Sequence, residues 1–432
     1  MTSAQQTTKR TVWPWQANPG PWSGLLISWL ATLMIILVFG LVMLFSASYA
    51  TGYLRMGNSY YYIRSQTIYA VGGLVMMWVM SHVNYRWVRK LVGVGYVISI
   101  ALLVAVLFCE PLNGCRRWIN IKGLPTLQAS ELVKFEMILL TAHLICTTPR
   151  LRATKSRPIT LGRWCRQKLL VELGRPILCL IPVVVLLFLE PHMSGIILMC
   201  AIVGTMLLIS GSGGVFTYVG AVGGALGLTT LLEHVDSIPY LQSRLDGWTQ
   251  DLSKMTDQTL QSLYAIGSGG LTGLGLGNSV EKQLWLPESV NDFIFSVVCE
   301  ELGFVGAMLV ILLFVLFIIQ GLVLSFEAAD LFGTMVGVGI MAQIGWQVFC
   351  NIAVVTNTLP NTGISLPFFS SGGTSLVLLL VEMGVLINIA RNGEAARVAR
   401  RQEAMQKKLH PADEAQPIVL ADARRERMQP QA

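Results

Sequence analysis

The sequence predicts an all-α, polytopic integral membrane protein with about ten transmembrane helices. Three observations carry that expectation. Of 432 residues, 53% are hydrophobic and 13% charged, against roughly 25% charged in an ordinary soluble domain. The apolar residues fall in runs of about 20, the length a helix needs to cross a hydrocarbon core of ~30 Å. Lipid restricts a spanning backbone to helices or closed barrels, and these runs are too long and continuous for barrel strands. A soluble enzyme, a disordered or collagen-like chain and a disulfide scaffold are thereby excluded.

Taken in order, the spans are expected at 23–47, 62–81, 91–109, 131–147, 176–190, 193–211, 214–232, 293–319, 330–355 and 370–390. Pro191 and His192 leave so little chain between the fifth and sixth that these form a tight helical hairpin. Residues 1–22 are polar and Trp-rich, without the apolar core and cleavage site of a signal peptide. They read as an N-terminal tail, 23–390 as the membrane domain, and 391–432 as a basic tail, a short helix trailing into disorder.

Orientation follows from Lys and Arg near the spans. Segment 148–175 holds Arg150, Arg152, Lys155, Arg157, Arg163, Arg166, Lys168 and Arg175 against the single acid Glu172. Arg86, Arg89 and Lys90 lie on the same side, as does the tail after 390. Both termini are therefore expected in the cytoplasm. The net charge of +7 reads as an orientation signal rather than a nucleic-acid surface. The opposite face then carries a large extracytoplasmic loop, 233–291, between helices 7 and 8. It is longer than a hairpin needs and is expected to hold some ordered structure. No C-x-x-C pair occurs among the eight cysteines; most read as packing residues. Cys109 and Cys115 are close enough in sequence to consider a disulfide, which spacing alone does not establish.

Ionisable residues inside spans are functional candidates. Glu131 and Lys134 share a helix face at i and i+3. They read either as a structural ion pair or as a cavity lining that orients a phosphate. Gln343, Gln347 and Asn351 recur every four residues on one face and are expected chiefly to bond between helices. At least one of the adjacent Glu300 and Glu301 needs a buried partner or a wet cavity, and Glu382 poses the same question. Asp292, where the outer loop becomes the eighth span, suits either a helix cap or a surface catalytic base. The glycine-rich run 267–277 lacks the Lys-Ser/Thr and the βαβ context of a phosphate loop and reads as a flexible or tightly packed loop. Arg116, Arg117, Trp118 and Lys122 could bind lipid phosphate or anchor a loop among headgroups.

These stretches together resemble the SEDS family of membrane proteins, the FtsW/RodA/SpoVE group, over about residues 23–392. Residues 360–375, PNTGISLPFFSSGGTS, match its P-x-T-G-x-x-L-P-F-x-S-x-G-G-[ST]-S signature. Other matches are Arg117-Trp118-Ile119, residues 128–134 (QASELVK), the glycine segments around 265–279, and Asp292-Phe293-Ile294-Phe295 leading into Glu300-Glu301-Leu302-Gly303. The resemblance implies a peptidoglycan glycosyltransferase that polymerises lipid II, an undecaprenyl-diphosphate-linked disaccharide-pentapeptide, beside a class B penicillin-binding protein. Residues 190–195 (EPHMSG) look closer to the FtsW/SpoVE side, which points to septal or spore cell-wall synthesis over elongation.

On that resemblance Asp292 is the general base. Arg117, Lys134, Arg244 and Lys282 are cations for the diphosphate, and Glu131, Ser370, Gly372 and Gly373 belong to the substrate cavity. A divalent cation, Mg²⁺ or Mn²⁺, fits the chemistry; no nucleotide, haem or nucleic acid is called for. Two departures stand out. Val290 occupies the place of the family's histidine in A-H-T, and Ala129 that of the proline in Q-P-[DS]-E. A lipid II flippase and an inactive scaffold that recruits a penicillin-binding protein are the competing expectations.

Overall fold

The computed structural model describes residues 15, 20–109, 117–119, 126–149, 160–220, 222–223, 248 and 255–409. The chain is a helical bundle. Helices α1 (Gly24–Met56), α2 (Tyr61–His82) and α3 (Tyr85–Leu107) are followed by a two-stranded ribbon of β1 (Trp118–Ile119) and β2 (Leu127–Gln128). Then come α4 (Ala129–Thr147), α5 (Leu161–Arg166), a π-helical stretch Gln167–Leu173, α6 (Gly174–Leu189) and α7 (Met193–Ser210). After them follow α8 (Asp257–Gly269), α9 (Ile294–Phe326), α10 (Leu331–Val355) and α11 (Gly373–Leu409). Among the described residues, seven helical stretches are long and apolar enough to cross a membrane: α1, α3, Leu161–Leu189, α7, α9, α10 and α11. α2 and α4, of 22 and 19 residues, are ~33 and ~28 Å long at 1.5 Å per residue. Glu131, Lys134 and Glu136 dilute the hydropathy of α4.

The tight hairpin between α6 and α7 is present: residues 190–192 alone separate them. Several helices run past the expected spans. α3 begins at Tyr85 because Asn84 caps it, accepting from Arg86 N at 3.0 Å. Arg86 then reaches Asp330 at 2.9 Å, so its charge lies off the lipid. Helix resumes at Leu161, where Thr160 caps it, inside the stretch expected to be loop. α11 continues to Leu409, where a short trailing helix was expected. The seventh expected span is helical at 215–220, and most of its remainder lies outside the described residues. The same holds for Arg116, Lys122, Arg244 and Cys115; Cys109 is a free thiol.

The core forms where α2 packs along α11, α9 against α1 and α10, and α4 against α3, α7 and α10. Trp29 of α1 stacks on Phe317 of α9, with ring centroids 5.1 Å apart.

α9 is broken at Gly303, which adopts φ 66°, ψ −169°. A break in mid-helix strands backbone groups that lipid cannot satisfy. The glycine run supplies their partners. Leu274 N and Gly275 N donate to Glu300 O and Glu301 O at 3.0 and 2.9 Å. Phe304 N and Val305 N donate back to Gly270 O and Leu271 O at 2.9 and 3.1 Å. The run is thus a tightly packed plug. Gly303→Ala would place a Cβ 2.3 Å from Gly273 N at a left-handed φ. We expect it to cost about 2–4 kcal/mol, read as a lowered melting temperature in detergent; an unchanged melt would disprove the plug's role.

Glu300 and Glu301 both find partners beside this break. The Glu300 carboxylate accepts from Ser279 Oγ and, at 2.8 Å, from Val280 N. Glu301 binds Lys282 Nζ at 2.6 Å and Ser46 Oγ at 2.7 Å. Deeper in the bundle, Gln343 donates to Glu382 at 3.0 Å.

Candidate functional site

A cavity of about 230 Å³ opens at one end of the bundle. The β-ribbon, with Trp118 opposite Gln128, carries Arg117 to its rim. α4 contributes Glu131 and Lys134, the α6–α7 turn contributes His192, and Asp292 stands just ahead of α9. Gln347 of α10, residues 363–365, Ser371, Gly372, Thr374 and Ser375 also line it. Arg117 also donates through its guanidinium to Pro191 O, which ties the ribbon to the hairpin. Lys134 Nζ lies 2.8 Å from Glu131 Oε2, and Ser375 Oγ donates to that carboxylate at 3.2 Å. The ion pair is therefore both structural and part of the cavity wall.

Asp292 is set by its backbone. Asn351 Nδ2 donates to Asp292 O and to Ile364 O, each at 2.7 Å. Ser370 Oγ donates to Asn291 O at 2.7 Å and accepts from Leu366 N at 2.8 Å. Ser371 N donates to Val290 O at 2.9 Å. The segment 363–371 is thus clamped along 290–292. Gly363, at φ 72°, brings its backbone against the carboxylate: a Cβ there would lie 3.3 Å from Asp292 Oδ2. Asp292 precedes the N-cap position of α9, which Phe293 occupies without a side-chain cap. Its side chain lines the cavity instead.

The electrostatics follow from helix direction. First-turn residues of α4, α7 and α11 line the cavity, and α9 begins beside it. Four helix N-termini therefore point their positive dipole ends at one volume, where anions are favoured. Arg117 and Lys134 add full charges to that field.

Not every expected residue arrives here. Lys282 is a correction: its ammonium is buried against Glu301 and Ser46 beside the break in α9, and it is not among the cavity-lining residues. A buried carboxylate holds it there. Ser370 acts through the backbone, as described above, and Gly373 packs against the Tyr69 ring, 2.4 Å from where a Cβ would sit. Gly372 does line the cavity. Arg244 lies outside the described residues. Val290 is buried at 6% exposure and does not reach the cavity. The histidine that does is His192, 7% exposed. Burial, with Arg117 and Lys134 nearby, pushes its pKa down to about 3, so the ring is neutral. The sequence marks His192 as a turn residue and as part of a subgroup signature; a polar residue beside Pro191 in a turn too short to reach solvent was the available signal for a site. Among the described residues no group of three or more His, Cys, Asp or Glu side chains forms a metal site.

Comparison with known proteins gives the family and the fold. Stage V sporulation protein E of Bacillus subtilis is 35% identical over 366 residues, covering 83% of this chain and 94% of that protein. The probable peptidoglycan glycosyltransferase FtsW of Geobacter sulfurreducens is 31% identical, covering 82% and 91%. Among solved structures, a chain of a peptidoglycan synthase complex superposes with a TM-score of 0.67 at 24% identity, covering 86% of this chain and 99% of that one. The rod shape-determining protein RodA of Thermus thermophilus gives a TM-score of 0.60 at 24% identity, covering 84% and 96%. The family model described as "cell cycle protein", that of FtsW, RodA and SpoVE, matches residues 27–395, and the chain belongs to this family of multi-pass membrane proteins.

Proposed function

We propose that this protein is a peptidoglycan glycosyltransferase that polymerises lipid II in septal or spore cell-wall synthesis. The carrying observation is a carboxylate, Asp292, clamped by its backbone in a cavity with Arg117 and Lys134. In the reaction the acceptor's GlcNAc 4-hydroxyl attacks the MurNAc anomeric carbon. Asp292 takes the hydroxyl proton as the new C–O bond forms. The bond to the lipid diphosphate breaks, and that group leaves with the electron pair. An α-linked donor gives a β product, so one in-line displacement with one carboxylate base is sufficient. Arg117, Lys134 and the helix N-termini oppose the charge that develops on the diphosphate.

The positive-inside pattern supports a cavity on the outer face of the cytoplasmic membrane and both termini in the cytoplasm. A class B penicillin-binding protein that crosslinks the strands is the expected partner. The described carboxylates offer no cage for a divalent cation; Mg²⁺ commonly takes its ligands from substrate phosphates and water, so it belongs in the assay. A flippase would need polar groups free along a path through the bundle. Of the deep residues that favoured that reading, Glu301 is engaged with Lys282, and Gln347 faces the cavity that holds Asp292.

The test is labelled lipid II supplied in detergent to the protein with its penicillin-binding partner, with Mg²⁺ or Mn²⁺. Glycan chains from wild type and none from Asp292→Ala support the reading. No chains from either, beside a partner whose transpeptidation is confirmed, would overturn it. The clamp makes its own prediction: Asn351→Leu removes the side-chain hydrogen bonds to the Asp292 and Ile364 carbonyls. We expect a turnover about tenfold or more lower, because Asp292 shifts relative to the acceptor. Initial rates at saturating lipid II check this; a wild-type rate would refute it.

A further inference from the structure

Four helix N-termini meet at the cavity, and they are not equivalent. The first turn of α4 contains Glu131, and Asp292 stands immediately before α9. At α11, Gly372 N is bonded to Gln66 Oε1 at 3.3 Å, and Ser375 is turned to Glu131. α7 differs. Its N-cap residue, His192, makes no side-chain cap bond, and its first turn holds no acidic residue. Ser194 and Gly195 of that turn line the cavity, and a helix's first N–H groups have no partner within the helix.

A second observation at this turn points to a ligand. The His192 side chain lines the cavity while more than nine-tenths buried, and its Nδ1 has no hydrogen-bond partner. Buried polar atoms ordinarily have one. The backbone that carries the ring is held in place: His192 N donates to Leu187 O at 2.9 Å. The missing side chain of Gly195 leaves it room, since a Cβ there would sit 3.0 Å from Nδ1. Arg117 bonds to the neighbouring Pro191 O, so a guanidinium stands beside the same turn. An imidazole with an unpaired nitrogen and an uncapped helix start thus face the cavity together, beside a guanidinium.

We propose that the N-terminal turn of α7, with the His192 imidazole, is the subsite for the diphosphate of the bound polyprenyl substrate. The proposal rests on the transferase reading for the identity of the ligand. It separates the labour of the cavity: Asp292, at α9, faces the acceptor hydroxyl, and α7 faces the leaving group. It also gives the cavity an imidazole at a site distinct from the position that Val290 fills.

Binding is read without turnover, so the subsite and the transferase reading can fail separately. The probe is undecaprenyl diphosphate in detergent, titrated into the full-length protein, with undecaprenol and inorganic pyrophosphate as separate arms. His192→Phe keeps a ring over Gly195 and removes its hydrogen bonds; His192→Asn keeps a donor and an acceptor. We expect His192→Phe to weaken undecaprenyl diphosphate about tenfold or more, and His192→Asn to stay within about threefold of wild type. Undecaprenol should bind the two variants alike. Gly195→Ala, which displaces the ring, should weaken the diphosphate in the same direction. Pyrophosphate that competes in wild type and not in His192→Phe would confirm that the diphosphate itself is recognised. Melting temperatures of all variants establish that they fold; if His192→Phe does not, Gly195→Ala and His192→Asn decide. Equal diphosphate affinity in wild type and His192→Phe, or none in wild type, would overturn the subsite. Binding that depends on His192 in a protein that makes no glycan would keep the subsite and discard the transferase.

Discussion

Asp292→Ala and Asp292→Asn are both expected to lower lipid II polymerisation about 10³-fold or more, with little change in the melting temperature. The size follows from the role: a positioned general base contributes roughly 10²–10⁴-fold. Asn keeps the shape and the hydrogen bonding of the side chain but cannot accept the proton, so it should be nearly as inactive as Ala. The small stability cost follows from the geometry. The backbone of this segment carries the clamp, through Asn351, Ser370 and Ser371, and the substitution leaves those bonds in place. A variant that polymerised within tenfold of wild type would remove Asp292 from the chemistry. It would leave Arg117 and Lys134 as a binding site without a base.

Lys282→Met is expected to be the most destabilising single change among the residues considered. Lys282 and Glu301 are both almost entirely buried, at 5% and 0% exposure, and are joined at 2.6 Å. Removing the ammonium strands a carboxylate in the bundle with only the Ser46 hydroxyl to solvate it. Breaking such a pair costs about 3–5 kcal/mol. The loss should appear as a lowered melting temperature and poor accumulation in the membrane. The double variant Lys282→Met, Glu301→Leu should recover much of it, because no charge is then left unpaired. The readout separates two roles. A Lys282 that held diphosphate would lose binding and keep its stability, whereas the buried pair predicts the reverse.

Much of the fold was legible in the chain. Among the described residues, the apolar runs reappear as helices and the tight turn at Pro191-His192 as a hairpin. They are legible because the hydrocarbon core imposes a local rule: within ~20 residues, a segment is either apolar enough to cross or it is not. The helix ends were less legible. Caps at Asn84 and Thr160, rather than hydropathy, set where α3 and α5 start. The break at Gly303 was not visible either, since the helical pattern runs through it. Only the glycine run packed across it shows why the chain turns there.

The candidate site divides in the same way. The sequence by itself singled out Asp292, Glu131, Lys134 and Arg117, because charged residues at the ends of apolar runs are rare enough to be noticed. It could not say which charges meet. Lys282 looked as suited to a diphosphate as Lys134, and His192 looked like a turn residue. Charge is a property of one residue, but pairing is a property of two that lie far apart in the chain. Glu301 reaches Lys282 across the plug, and Asn351 reaches Asp292 from another helix. Four helix starts separated by as much as half the sequence share one cavity. Such neighbours are created by packing, so only the tertiary structure could decide that Lys282 is a brace and that His192 lines the cavity.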